Sequence, residues 1–137
     1  MDGSKLVVPK GWTHERITSQ SERWNDPSTG NHIQLDTIPW DTNDPVKHWV
    51  VFGRTAPDNL PGFTWLSQPE SSTVRGWDGA DAHYTWYRNR VKMHADDRGF
   101  TVNGRQYSLL AAVREQDYAA YPNYLNLVYA SFQPPTA

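Results

Sequence analysis

Two β-strands and the turn that joins them can be recognised in the stretch Arg98-Gly-Phe-Thr-Val-Asn-Gly-Arg-Gln-Tyr-Ser-Leu-Leu-Ala-Ala-Val113. Both central residues of a type I′ turn need a positive φ angle, which Asn and Gly adopt most readily, so Asn103-Gly104 predicts a hairpin. Upstream, apolar and polar side chains alternate along Ala82-His-Tyr-Thr-Trp-Tyr87. Such alternation is typical of a half-buried strand. We therefore expect a three-stranded meander between residues 75 and 113.

The composition favours one domain, residues 1–137, with an aromatic core. The chain is long enough to bury a core without support from disulfides or metals, and its seven Trp, seven Tyr and four Phe supply large apolar surfaces. The net charge is −2 and the basic residues are scattered, so we expect no nucleic-acid partner. The chain has no cysteine, which excludes a disulfide framework and thiolate metal ligands. No segment approaches the roughly 18 apolar residues of a membrane-spanning helix, so direct membrane insertion is not expected.

Two helices are predicted, near residues 44–54 and 122–132. Asp44 is the expected N-cap of the first helix, Pro45 its first residue and Gly53 its end. Shorter strands are expected at residues 6–8, 13–18, 23–25, 32–38, 63–66 and 72–75. Because hairpin connections dominate, the chain is predicted to be an α+β domain, an antiparallel β-sheet of at least five strands covered by two helices.

The predicted core is built from residues on the inward faces of these elements. Trp49, Trp77, Tyr84 and Trp86 are expected beneath the helices, and Tyr124, Leu127, Val128 and Phe132 are expected to turn the second helix toward the sheet.

The five histidines, at positions 14, 32, 48, 83 and 94, do not form a metal-binding motif. His94 with Asp96, or His32 with Asp36, could place an imidazole and a carboxylate on one strand face. A zinc site, however, needs three or four converging ligands, and no pair here has a recognised spacing. No nucleophile motif or phosphate-binding loop is present either. The sequence therefore predicts no catalytic residue, no metal and no cofactor.

The candidate binding residues are Trp40, Trp65 and His32. The two tryptophans lie beside predicted turns, where they are expected to be partly exposed, and His32 belongs to a polar strand face near a loop. Exposed aromatic rings next to a concave sheet bind sugars, organic cations or proline-rich peptides. The alternative is that these rings only cover the ends of the sheet.

Five different short motifs follow one another along nearly the whole chain: Val8-Pro-Lys-Gly-Trp12, Asp26-Pro-Ser-Thr-Gly30, Leu60-Pro-Gly-Phe63, Gly76-Trp-Asp-Gly-Ala-Asp81 and Gly104-Arg-Gln-Tyr107. Their order and spacing resemble the extracytoplasmic C-terminal domain of actinobacterial serine/threonine protein kinases, which is similar in pattern to the PsbP-like fold. The resemblance implies an α-β-α sandwich and a role in sensing or binding. It carries over no catalytic residue.

Three functions are open at this point, the third being a purely structural or protein-interaction module. The first is a non-catalytic sensor domain that binds an unknown small molecule or a cell-envelope protein or peptide, extracytoplasmic if it is part of a membrane kinase and otherwise cytoplasmic. The second is a small cofactor-independent enzyme of a natural-product pathway, which would use His, Asp or Tyr in acid-base chemistry inside a cup formed by sheet and helix.

Overall fold

The computed structural model describes residues 2–120 and 122–135, without the side chains of residues 74, 122–125 and 127. Its strands are β1 (Thr13–Thr18), β2 (Ser21–Asn25), β3 (His32–Asp36), β4 (Thr64–Trp65), β5 (Glu70–Val74), β6 (Trp77–Arg88), β7 (Val91–Val102) and β8 (Arg105–Arg114). Its helices are α1 (Pro45–Asn59), a 3₁₀ helix (Glu115–Ala120) and α2 (Pro122–Ser131). The strands pair antiparallel in the order β1-β2-β3-β8-β7-β6-β4, and β5 also pairs with β6. The predicted α+β class and antiparallel sheet are confirmed.

Two-residue turns join the four strands from β5 to β8. Asn103 and Gly104 have φ angles of 51° and 79°, and the flanking residues pair directly, as the type I′ prediction requires. The β6–β7 turn has the same signs at Asn89 (49°) and Arg90 (68°). The β5–β6 turn, at residues 75 and 76, also has two positive φ angles. Such turns match the right-handed twist that paired strands favour.

Helix α1 begins as predicted but does not end at Gly53. The Asp44 carboxylate accepts hydrogen bonds from the backbone N–H groups of Val46 at 3.0 Å and Lys47 at 3.2 Å, and Pro45 follows it. The helix continues to Asn59. Gly53 serves close packing instead, since a Cβ atom there would lie 2.7 Å from Cζ2 of Trp65.

The alternating pleat gives the sheet two apolar faces, each covered by one helix. One face packs against α1 through Trp49 and includes Tyr84, Trp86 and Met93. The opposite face packs against α2 through Val128 and through Phe132, which directly follows the helix, and both are buried as predicted. The side chains of residues 124 and 127, also predicted to face the core, lie outside the described residues. The layers are thus helix, sheet and helix.

Three of the four predicted core aromatics, Trp49, Tyr84 and Trp86, are buried. The fourth, Trp77, is only partly buried and stacks on Phe100 beneath α2. No helix among the described residues is both long and apolar enough to cross a membrane.

The strand expected at residues 6–8 is replaced by a single backbone bridge between Lys5 and Gln133. The N–H of Val7 donates to the Ser131 hydroxyl at 2.9 Å, and Pro9 has no N–H to offer. The ladder therefore stops after one bridge.

Candidate ligand-binding site

A carboxyl group lies in the middle of the apolar sheet face beneath α1. Strand β7 turns Met93 and Ala95 toward that face, and the same alternation carries Asp97 with them. Asp97 is 7% exposed. The sequence therefore places an ionisable side chain where the pattern of the strand calls for an apolar one.

The Asp97 carboxyl is only half satisfied. The Tyr84 hydroxyl donates to Oδ2 of Asp97 at 3.3 Å, while Oδ1 has no hydrogen-bond partner among the described residues. Burial, helped by the negative charge of Asp36, raises the pKa of Asp97 to about 8. Burial also raises the pKa of Tyr84 well above its usual value, so this phenol remains a donor. At neutral pH, Asp97 is mainly protonated.

A cavity of about 210 Å³ lies between this carboxyl and α1. Its walls are aromatic, and its lining includes Trp40, His48, Trp49, Phe52, Asp97 and Ser108. A second cavity of about 350 Å³ shares Trp40, His48 and Phe52 and extends outward along the helix. We call the two together the α1 cavity.

The segment before α1 is held over the sheet by side chains of its neighbours. The Gln106 side chain accepts a hydrogen bond from the backbone N–H of Trp40 at 2.5 Å and donates one to the backbone carbonyl of Thr42 at 2.9 Å. The His48 ring stacks on Trp40, with 4.3 Å between ring centroids. Gly99 leaves room for this indole, because a Cβ atom there would lie 2.9 Å from Trp40 Cζ2. Trp40 is thus fixed at the cavity wall.

Two further ionisable groups line the inner of these two cavities, and both are accounted for. Burial lowers the pKa of His48 to about 4, so its imidazole is neutral at pH 7. Asp36 accepts from the Gln34 amide at 3.0 and 3.2 Å and from the Ser21 hydroxyl. Asp97 is therefore the carboxyl of this cavity that retains an unused oxygen among the described residues.

The structure brings one of the three predicted binding residues to this cavity. Trp65 instead packs against Gly53, Phe52 and Tyr84 at the other end of α1. His32 is 5% exposed, and its Nδ1 lies near the Gly30 carbonyl. Burial lowers the pKa of His32 to about 4, and the positive charge of the nearby Arg23 adds to this effect. Binding roles for Trp65 and His32 stay predictions.

The opposite face carries a charged cluster beneath α2. His83 Nδ1 lies 2.5 Å from Asp96 Oδ1, and Arg98 forms two hydrogen bonds to Asp81, at 2.6 and 3.0 Å. The Arg98 guanidinium lies over the Tyr129 ring, 4.4 Å from its centroid. Hydrogen bonding to Asp96 raises the pKa of His83. A cavity of about 170 Å³ borders this cluster.

Other features offer less for binding. A groove of about 790 Å³ lies near Asn43, Ser71 and Thr101. It contains no buried group without a partner among the described residues. No group of three or more His, Cys, Asp or Glu residues in the described part of the chain is arranged to hold a metal ion.

Sequence reasoning missed Asp97, although a signal was present. The alternation recognised in β6 continues in β7, where residues 93, 95, 97 and 99 share a face. An Asp in that series marks a carboxyl on an apolar face. The covering helix and the Trp40 segment come from distant parts of the chain, so the cavity itself could not be inferred.

Comparison with known proteins adds a family and a fold. A family model described as the serine/threonine kinase C-terminal domain matches residues 1–134, whereas no curated protein matches. The structure is similar to cyanobacterial PsbP (CyanoP) from Synechocystis sp. PCC 6803, with a TM-score of 0.75 and 16% identity over 96% of this chain and 86% of that one.

Two further solved structures are similar. LpqN of Mycobacterium tuberculosis, described as involved in cell envelope biogenesis, gives a TM-score of 0.61 and 18% identity over 96% of this chain and 83% of its own. PA94 of Pseudomonas aeruginosa, a protein of unknown function, gives a TM-score of 0.68 and 13% identity over 98% of this chain and 99% of its own. At these identities the likeness establishes a shared PsbP-like fold.

Proposed function

Because the chain belongs to the serine/threonine kinase C-terminal domain family and has the PsbP-like fold, we propose that it is the sensor domain of such a kinase. It acts outside the cytoplasm and binds a small molecule in the α1 cavity without chemical turnover. The extracytoplasmic location is supported by its likeness to LpqN, which is described as involved in cell envelope biogenesis.

The observation that carries this proposal is that Asp97, a residue 7% exposed, lines the α1 cavity while its Oδ1 has no hydrogen-bond partner among the described residues. A buried polar group without a partner costs about 1–3 kcal/mol. Buried polar groups nearly always have partners, so an exception calls for an explanation. A ligand that completes the hydrogen bonding of Asp97 supplies one, and the cavity has the size of a small molecule rather than of a folded partner.

Binding at this position would couple the sheet to α1. Asp97 belongs to the sheet, whereas His48, Trp49 and Phe52 belong to the helix, and all four line the same cavity. A ligand in contact with both layers stabilises the arrangement in which they are packed together. A kinase tethered to the domain would respond to that change through repositioning or dimerisation.

A melting screen with a chemically mixed set of cationic, neutral and anionic small molecules tests the proposal. Compounds that bind the α1 cavity should raise the melting temperature of the wild type but not of D97N, which keeps the shape and loses the carboxyl. Asp58→Asn is the matched control, since it removes an exposed carboxylate from the end of the same helix. A screen in which no compound shows a shift that depends on Asp97 would refute the proposal.

A second candidate, the small cofactor-independent enzyme, is favoured by the His83–Asp96 pair. An imidazole oriented by a carboxylate beside a cavity is the usual form of a general base. The described side chains that line this cavity include no Ser, Thr or Cys nucleophile. Hydrolysis of a nitrophenyl ester by the wild type, lost in H83Q and retained in H14Q, would favour this alternative.

A further inference from the structure

The α1 cavity also indicates the charge of its ligand. Resting on the proposed function, we propose that the ligand is a small organic ammonium ion, whose N–H group donates to Oδ1 of Asp97 while its carbon chain packs against Trp40, Trp49 and Phe52.

The charges that act on Asp97 are mainly negative. Asp36 on β3 lines the same cavity. Asp81 on β6 and Asp96 on β7, which pair with Arg98 and His83 on the opposite face, add to the negative field at the Asp97 carboxyl. The remaining ionisable groups nearby are Tyr84 on β6, His48 on α1, and Asp41 and Lys47 at the outer cavity. Of these, Tyr84 and His48 are uncharged at pH 7. Lys47 is exposed on the outer side, so a cation is favoured at the inner end.

The hydrogen-bonding geometry indicates which kind of cation fits. Oδ2 of Asp97 is used by Tyr84 at 3.3 Å, and Oδ1 needs a donor. An ammonium group that carries N–H bonds supplies both a donor and a positive charge, and a charge-assisted hydrogen bond is stronger than a neutral one. A quaternary ammonium ion has no N–H to donate. The aromatic walls then accommodate the alkyl part of the molecule.

Binding would displace one proton. The protonated Asp97 carboxyl gives its proton to solvent, and the carboxylate that remains pairs with the ammonium ion, so one cation enters and one proton leaves. Affinity should therefore rise about tenfold per pH unit below pH 8 and level off above it. A neutral ligand that accepts a hydrogen bond from protonated Asp97 would show the opposite trend.

The test uses n-butylammonium, its neutral analogue butan-1-ol and butyltrimethylammonium as probes of the whole chain. Titrations are followed through the indole N–H signals of Trp40 and Trp49 between pH 6 and 9. Butylammonium should bind at least tenfold more tightly than either analogue and more tightly at pH 8 than at pH 6. D97N should abolish its binding, and D58N should retain it.

The other outcomes distinguish this inference from the proposed function. If butan-1-ol binds as well as butylammonium, with an affinity that falls above pH 8 and is lost in D97N, the ligand class is wrong and the binding site stands. If no butyl probe binds while a compound of the mixed screen does so through Asp97, the ammonium inference is again refuted. If neither the probes nor the screen shows dependence on Asp97, both proposals fail.

Discussion

The Tyr84 hydroxyl donates to Oδ2 of Asp97 across strands β6 and β7, at 3.3 Å, and leaves Oδ1 of the same carboxyl without a partner among the described residues. This pair lies on the face of the sheet beneath α1, where the other cross-strand neighbours are apolar. An interior carboxyl held by one neutral donor costs stability. We therefore expect Asp97 to lower the stability of the free domain.

Asp97→Asn should stabilise the domain in a pH-dependent way. The folded-state pKa is about 8 and the unfolded value is 3.8, so the native carboxyl keeps its proton while the unfolded one loses it. Wild-type stability contributed by this group is complete below pH 4 and is lost as pH rises through 8. The advantage of D97N should grow across that interval by up to roughly 1.4 kcal/mol per pH unit.

Denaturant unfolding at several pH values measures this advantage. The control D58N should stay within about 0.5 kcal/mol of wild type, as surface substitutions usually do. An advantage of D97N that does not change between pH 4 and 8 would show that Asp97 is already ionised in the native state.

Trp86→Ala should destabilise the domain by about 3–5 kcal/mol, the usual cost of truncating a large buried aromatic. Trp86 is 7% exposed and packs on Tyr84 and Met93 under α1. Tyr87→Ala is the matched control, because the next residue points to the other side of the strand and is 45% exposed. Urea unfolding compares the two, and a loss below about 1 kcal/mol in W86A would contradict the assigned face.

Gly104→Val should lower stability by about 1–2 kcal/mol through backbone strain alone. The φ angle of Gly104 is +79°, and no atom lies within 4 Å of a Cβ built there. Gly104→Asn should be milder, since Asn tolerates the left-handed region. An unchanged melting temperature in G104V would argue against the type I′ turn.

His83 should titrate in a different pH range from His32 and His48. Hydrogen bonding to Asp96 raises the pKa of His83, whereas burial lowers those of His32 and His48 to about 4. The His83 contribution to stability is present below pH 6.5 and is lost as pH rises through its folded pKa. The contributions of His32 and His48 are present above pH 6.5 and are lost as pH falls toward 4.

Imidazole NMR signals recorded against pH separate these groups, with H83Q, H32Q and H48Q used for assignment. In D96N the His83 titration should move to lower pH. A His83 titration that D96N leaves in place would indicate that the close contact with Asp96 is absent in solution.

The sheet was predictable where the backbone signals are local. Strand β6 is predicted by the alternation in residues 82–87, and strands β7 and β8 are predicted by the Asn103-Gly104 pair. Both signals come from side chains within a few residues of each other. The Asn89-Arg90 turn has the same positive φ angles, but Arg gives no such signal. The sequence predicts a helix end at Gly53, because only the tertiary contact with Trp65 explains why a glycine lies there.

The site was predictable in part, through its aromatic wall. Trp40 stands beside a turn, and partial exposure follows from that position. Asp97 joins it only because Gln106 on β8 ties the Trp40 segment to the sheet and α1 folds over both. Contacts of this kind, between segments far apart in the chain, produce no hydrophobic periodicity and no motif that a single sequence would reveal.

The most direct test of the account is a carbon-13 NMR titration of the Asp97 side-chain carboxyl, assigned by its loss in D97N and recorded with and without saturating n-butylammonium. We predict a pKa of about 8 for the free domain and a value lowered by at least one pH unit when the ammonium ion is present. A pKa near the ordinary value of 3.8, unchanged by the cation, would contradict the claim that Asp97 is a buried, unsatisfied carboxyl that binds a positively charged ligand.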